Sequence, residues 1–188
     1  IDITLPPRVN LRLMSKALGK DIDELIIGIL ERPRHDAMIA EIRETGARVH
    51  LVSDGDLALA IAALNPDAGL DGLFGIGGAP EGVITAAAVL CNGGEMQARL
   101  KFRNDDERAR AERMMTGDID RVLHTEDLAS GDVIFAATGI TSGDLLKGVR
   151  YKRGLAMTES IVMDSASGTV RRIETQHRYD ERGELIGR

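Results

Sequence analysis

Three short segments carry residue types suited to holding a phosphate ester. Arg32-Pro33-Arg34 sets two guanidinium groups on either side of a proline whose ring fixes φ, so both start from a backbone of reduced freedom. A planar guanidinium bonds two oxygens at once, which matches phosphate. Taken alone, the triplet fits a solvated surface loop better than an anion site. His35, next to it, fits a helix cap or a surface position better than a catalyst. Asp54-Gly55-Asp56 is acidic, short and flexible. Its carboxylates suit a metal ion or the hydroxyls of a sugar, and an aspartate ahead of a helix is equally well an N-cap.

The third segment, Gly77-Gly78-Ala79-Pro80-Glu81-Gly82, joins glycines that let a backbone approach a ligand to a helix start whose free N–H groups favour an anion. Gly75 and Gly77 match the first two glycines of a dinucleotide fingerprint, but Pro80 stands where the third belongs, and a nucleotide-binding oxidoreductase is disfavoured. Glu81 suits the positive end of the helix dipole, or serves as a hard oxygen ligand for Mg²⁺ or Mn²⁺. A fourth segment, Phe102-Arg103-Asn104-Asp105-Asp106-Glu107-Arg108, mixes both signs and reads first as a helix start laced with ion pairs.

The segments are placed by what precedes them. Residues 10–18 have helical spacing of Leu11, Met14 and Leu18, a short turn follows at 21–24, and 26–30 is a buried strand ended by the Arg-Pro-Arg loop. A helix over 36–44, a strand over 49–52, the acidic loop, a helix over 57–64, a strand over 70–76, the glycine loop and a helix over 83–90 repeat the unit. Successive strand-loop-helix units imply a parallel sheet, and its loops collect at the carboxyl ends of the strands, where ligands bind. Further on, 96–102 alternates like a half-exposed strand, 105–115 is a charged helix and 133–137 a buried strand. Residues 154–163 and 169–177, separated by 165–168, read as antiparallel hairpins. From 179 onward the chain is polar.

The fold class is therefore α/β: a parallel sheet of strand-loop-helix units followed by antiparallel hairpins. Residues 1–148 are expected to form an α/β domain carrying the phosphate-binding loops, with 149–188 as a hairpin extension of it and a polar tail.

Bulk composition narrows the partners. The 188 residues include 43% hydrophobic and 29% charged, with net charge −6, which disfavours nucleic acid and anionic membranes as partners. Any anion must be caught locally. No stretch reaches the roughly 18 apolar residues that span a bilayer, no secretory leader is seen at the start, and a cytoplasmic setting is expected. The single cysteine, Cys91, lies in an apolar run and reads as a buried thiol rather than a nucleophile.

In order, Arg32-Pro33-Arg34-His35, Ser53-Asp54-Gly55-Asp56, Gly77-Gly78-Ala79-Pro80-Glu81-Gly82, the 102–110 segment and Val133-Ile134-Phe135-Ala136-Ala137-Thr138-Gly139 resemble the class II fructose-1,6-bisphosphatases over nearly the whole chain. The resemblance implies a layered, sugar-phosphatase-like fold. It implies Mn²⁺- or Mg²⁺-dependent hydrolysis of fructose 1,6-bisphosphate to fructose 6-phosphate and phosphate, a step of gluconeogenesis, with sedoheptulose 1,7-bisphosphate as a further substrate. It implies Arg32, Pro33 and Arg34 on a substrate phosphate, Asp54, Gly55, Asp56 and Gly78 on the sugar phosphate, Glu81 as metal ligand, and a homodimer or tetramer. The family's N-terminal half, which carries most metal ligands and the catalytic residues, has no counterpart here. The chain thus reads as a C-terminal part, inactive alone, and a noncatalytic sugar-phosphate-binding module is the alternative.

Overall fold

The computed structural model describes residues 1–143, 145–180 and 186. The expected tail beyond Tyr179 lies mostly outside them.

A parallel sheet of order β2-β1-β3 is the first layer, formed by β1 (Ile26–Leu30), β2 (Arg48–Val52) and β3 (Gly72–Leu73). Its centre, β1, is buried at Ile27, Ile29 and Leu30, as its unbroken apolar run requires. Helix α1 (Pro7–Leu18) brings Leu11 and Met14 into this core, and α2 (Asp36–Glu44) brings Ile39 and Ile42. Between β2 and β3 run α3 (Asp56–Ala63) and a single turn at Pro66–Ala68. Gly28 lets α3 lie close on β1: a Cβ there would stand 2.9 Å from Leu59 Cγ.

The strand expected over 70–76 is shorter than its apolar run. Only Gly72 and Leu73 pair with β1, because the main chain of Ile76 bonds to side chains instead of a neighbouring strand. Asp71 fastens the start of this edge. Its Oδ2 accepts from Ile26 N–H at 2.9 Å, its N–H donates to Ile26 C=O at 2.9 Å, and its Oδ1 accepts from Lys20 Nζ at 2.6 Å.

Helix α4 (Ala79–Cys91) starts four residues earlier than its apolar spacing suggested, since Pro80 sits in its first turn, where no N–H is needed. It packs on α3 and on the second, antiparallel sheet. That sheet holds β6 (Ile134–Thr138), β7 (Arg150–Lys152), β8 (Leu155–Asp164) and β9 (Thr169–Arg178). Strand β8 pairs with β9 along one side and with β6 and β7 along the other. The hairpin reading of 154–163 and 169–177 is what the structure has. The buried strand expected over 133–137 is only half buried: Phe135 faces the core, while Ile134 is 73% exposed.

Cys91 is buried and its Sγ donates to Val133 C=O at 3.4 Å, as expected of a core thiol. The strand expected over 96–102 shrinks to β4 (Gln97–Ala98), paired with β5 (Leu123–His124). Helix α5 (Asp105–Met114) lies between them in sequence, and the one-turn α6 (Thr125–Leu128), which sequence spacing did not suggest, follows β5.

Candidate functional site

The loops after β1, β2 and β3 meet at the carboxyl edge of the parallel sheet. After β1, Glu31 N–H still donates to Val52 C=O at 2.8 Å, then Arg32 turns out in extended conformation and Pro33–His35 forms a single 3₁₀ turn. Arg32 donates through Nη1 to Glu31 C=O at 2.9 Å, and its Nη2 lies 3.9 Å from Asp54 Oδ1 on the second loop. Arg34 is exposed and reaches the third loop: its Nε donates to Ile76 C=O at 2.6 Å. Among the described residues its two terminal amines have no protein partner.

After β2, Gly55 has φ +89, a left-handed conformation that a side chain would strain, and stands at the cap position of α3. The N-cap reading of Asp54 is not what forms. Its Oδ1 accepts from the adjacent Gly55 N–H at 2.9 Å, no side chain caps the helix, and its side chain is 95% exposed. Asp56 is the first residue of α3, and its Oδ1 accepts from Leu57 N–H at 2.9 Å.

After β3, the glycine loop passes against the acidic one. A Cβ on Gly77 would lie 3.4 Å from Asp56 Oδ2, and one on Gly78 would collide with the Glu81 carboxylate, which folds back over the entrance to α4. Gly78 and Glu81 are both exposed. Arg32, Asp54, Asp56 and the glycine loop are thus brought together. Among the described residues no group of three or more His, Cys, Asp or Glu side chains stands together to hold a metal ion. Glu81 alone does not make a metal centre, so these residues do not by themselves accommodate the ion that the resemblance implies.

Of the two readings of His35, the cap position is the one the structure has: the residue stands at the N-cap of α2, although its side chain does not cap the helix, and it is fully buried rather than on the surface. Its Nδ1 lies 2.7 Å from Leu30 C=O, and its Nε2 accepts from Ile76 N–H at 2.9 Å. His35 closes the 3₁₀ turn just ahead of α2, and its ring is fixed by main chain from two other segments rather than by a helical face.

The 102–110 segment takes its plainer reading. Asn104 Oδ1 caps α5 by accepting from Glu107 N–H at 2.9 Å, Arg103 pairs with Glu107, Arg108 pairs with Asp120, and Arg108 lies 5.3 Å over the Phe102 ring. No described hydrogen bond or ion pair joins this segment, or β6 and Gly139, to the three loops.

The family model for the bacterial, glpX-encoded fructose-1,6-bisphosphatases matches residues 1–177. The chain belongs to that family. It is 43% identical over 195 aligned positions to fructose-1,6-bisphosphatase 1 class 2 of Escherichia coli strain K12. The same identity holds to the class 2 enzyme of Shigella flexneri. Each alignment covers 97% of this chain and 58% of the relative, so the chain spans somewhat more than half the length of these curated relatives. In this chain the carboxyl edge of the parallel sheet is where the Arg-Pro-Arg, Asp-Gly-Asp and Gly-Gly-Ala-Pro-Glu-Gly segments come together.

Proposed function

We propose that this chain forms the sugar-phosphate-binding part of a metal-dependent fructose-1,6-bisphosphatase. The observation that supports it most is the convergence of three loops, tied by Arg32 to Asp54, Arg34 to Ile76, and the close approach of Gly77 to Asp56. Arg34, steadied through Nε, has both terminal amines left for the oxygens of a phosphate, with Arg32 beside it and Pro33 limiting the freedom of both. The carboxylates of Asp54 and Asp56 accept from sugar hydroxyls, and Gly78 lets the sugar phosphate approach the main chain. Glu81 is this chain's contribution to the Mn²⁺ or Mg²⁺ site, whose other ligands come from residues outside those described.

In the overall reaction a water oxygen bonds to phosphorus and the ester P–O bond to the C1 oxygen breaks. That oxygen takes up a proton, leaving fructose 6-phosphate and inorganic phosphate. The residues named here bind and orient the substrate for this exchange, and such orientation lowers the barrier by removing the entropy of alignment. Sedoheptulose 1,7-bisphosphate, with a phosphate at each end of a longer sugar, is a second substrate of the same chemistry. A cytoplasmic role in gluconeogenesis fits that substrate class, and among the described residues no helix is long and apolar enough to cross a membrane. Residues 1–148 act as the loop-bearing domain, with 149–188 as its hairpin extension, and the protein works as a homo-oligomer.

A noncatalytic sugar-phosphate-binding module is the second reading, favoured by the lack of a three-ligand cluster among the described residues. Phosphate release from fructose 1,6-bisphosphate with Mn²⁺ or Mg²⁺ present, measured for this 188-residue chain alone and then joined to the rest of a family member, separates the two when combined with calorimetric binding of the same sugar. Binding without release is expected of the chain alone, and release is expected once the rest of a family member is supplied. Failure to bind the bisphosphate at all would sink both.

A further inference from the structure

We propose that His35 is the positioning residue of this site, fixing the glycine loop against the arginine loop through the main chain of Ile76. The inference rests on the sugar-phosphate reading of the three loops and adds the device that holds two of them in register.

Its basis is the way both main-chain groups of Ile76 are used. Phe74 N–H still donates to Gly28 C=O at 3.2 Å, so the chain leaves the sheet just beyond it. Ile76 N–H then donates to His35 Nε2 at 2.9 Å, and Ile76 C=O accepts from Arg34 Nε at 2.6 Å. Two consecutive residues of the first loop thus hold one residue of the third from both sides. Because Nε2 accepts, it is unprotonated, and the proton is on Nδ1, which donates to Leu30 C=O at 2.7 Å. Nε2 also lies 3.3 Å from Ile76 C=O, a carbonyl that Arg34 satisfies at the shorter distance.

The imidazole and Leu30 are buried, so water cannot replace the bond to Leu30 C=O, while Ile76 itself is half-buried. Losing the ring would leave the buried Leu30 carbonyl without this partner and free the Ile76 amide from the first loop, and an unpaired buried group destabilises the arrangement that contains it. Both ring nitrogens are occupied by main chain, which excludes His35 from taking a proton from substrate while this arrangement stands. Its effect is transmitted through Arg34: the carbonyl that steadies the guanidinium belongs to the residue His35 holds. Two glycines, Gly75 and Gly77, flank Ile76, so the loop has little stiffness of its own and depends on these side-chain bonds for its position.

The test compares His35→Leu, which keeps bulk without hydrogen bonds, with His35→Gln, which offers a planar donor and acceptor. Calorimetric titration with fructose 1,6-bisphosphate should show affinity weakened about 10-fold or more by leucine, as expected when a binding group is displaced, and largely restored by glutamine. In a catalytically competent form carrying this chain, the loss should fall on KM rather than kcat. A folded leucine variant that binds as well as the parent overturns the proposal. Ring ¹⁵N shifts of His35 and amide exchange of Ile76 decide it independently of ligand. The Nδ1–H pattern with a protected Ile76 amide is expected, and an Nε2–H pattern or a freely exchanging amide overturns it. If the parent binds no fructose 1,6-bisphosphate, the functional reading fails while these spectra still judge the clamp, and they serve equally if the leucine variant does not fold.

Discussion

The two arginines of the first loop are not equivalent. Arg32 is already engaged with Glu31 C=O and stands near Asp54, whereas Arg34 spends only Nε on the protein. If Arg34 grips the phosphate distant from the reacting one, Arg34→Ala should cut kcat/KM for fructose 1,6-bisphosphate by about 100-fold, in line with losing charge-assisted hydrogen bonds. Hydrolysis of a simple phosphate monoester, which has no second phosphate to hold, should change far less. An equal loss on both substrates would remove Arg34 from that role. The arginines were legible in the sequence because proline and two guanidiniums after a buried apolar run form a recognisable unit. The adjacent histidine was not, because its pairing with Ile76 joins positions 41 apart, a contact that local spacing does not encode.

At the scale of elements, the parallel sheet was legible where apolar runs were long and uninterrupted, as in β1. It was overestimated where side chains compete for the main chain, as at Ile76. The fastening at Asp71 was not foreseen, since its partners, Lys20 and Ile26, lie 51 and 45 positions away. The Asp71 side chain is only 8% exposed. Burial alone would raise its pKa, but hydrogen bonds from Lys20 and Ile26 N–H, with the charges of Lys20 and Arg48, outweigh this and hold it below the ordinary value. A carboxyl with a depressed folded-state pKa binds fewer protons in the folded than in the unfolded chain. Its contribution is therefore complete above the unfolded value, about 4, and is lost as pH falls through the folded one. Asp71→Asn should lower unfolding free energy by about 1–3 kcal/mol at pH 7. In urea titrations the gap between the two proteins should narrow as the pH is taken below about 4. A gap that stays constant down to acid unfolding would show that the charge of Asp71 contributes nothing.

At the scale of the molecule, the antiparallel sheet bears on the proposed self-association. Within the C-terminal hairpins, β8 lies inside the sheet, with hydrogen-bonded neighbours on both sides. The outer edge belongs to β9, ten residues long, where Arg178 C=O accepts from Ile186 N–H and the described residues supply no further strand partner. Val170 and Ile173 on it are 49% and 43% exposed. A long open edge with apolar side chains is a template for another strand. Antiparallel pairing of two copies centred on Ile173 sets that side chain against its own copy and Arg172 against Glu174 of the second chain, in both directions. Centring on Arg172 or Glu174 opposes like charges instead, which is unfavourable across a strand pair. If the protein assembles through this edge, Ile173→Lys should convert the native mass to that of the monomer in sedimentation equilibrium. Arg172→Glu should weaken assembly, and adding Glu174→Arg should recover it, because the swapped pair restores opposite charges. Both substitutions also remove bonds within one chain, Arg172 to Leu145 C=O and near Glu159, and Glu174 to Arg150 at 2.8 Å, so recovery by the swap in spite of these losses is the decisive arm. An assembly mass indifferent to all three variants would place the contact elsewhere on the surface, and a parent monomeric at every concentration would dispose of self-association altogether.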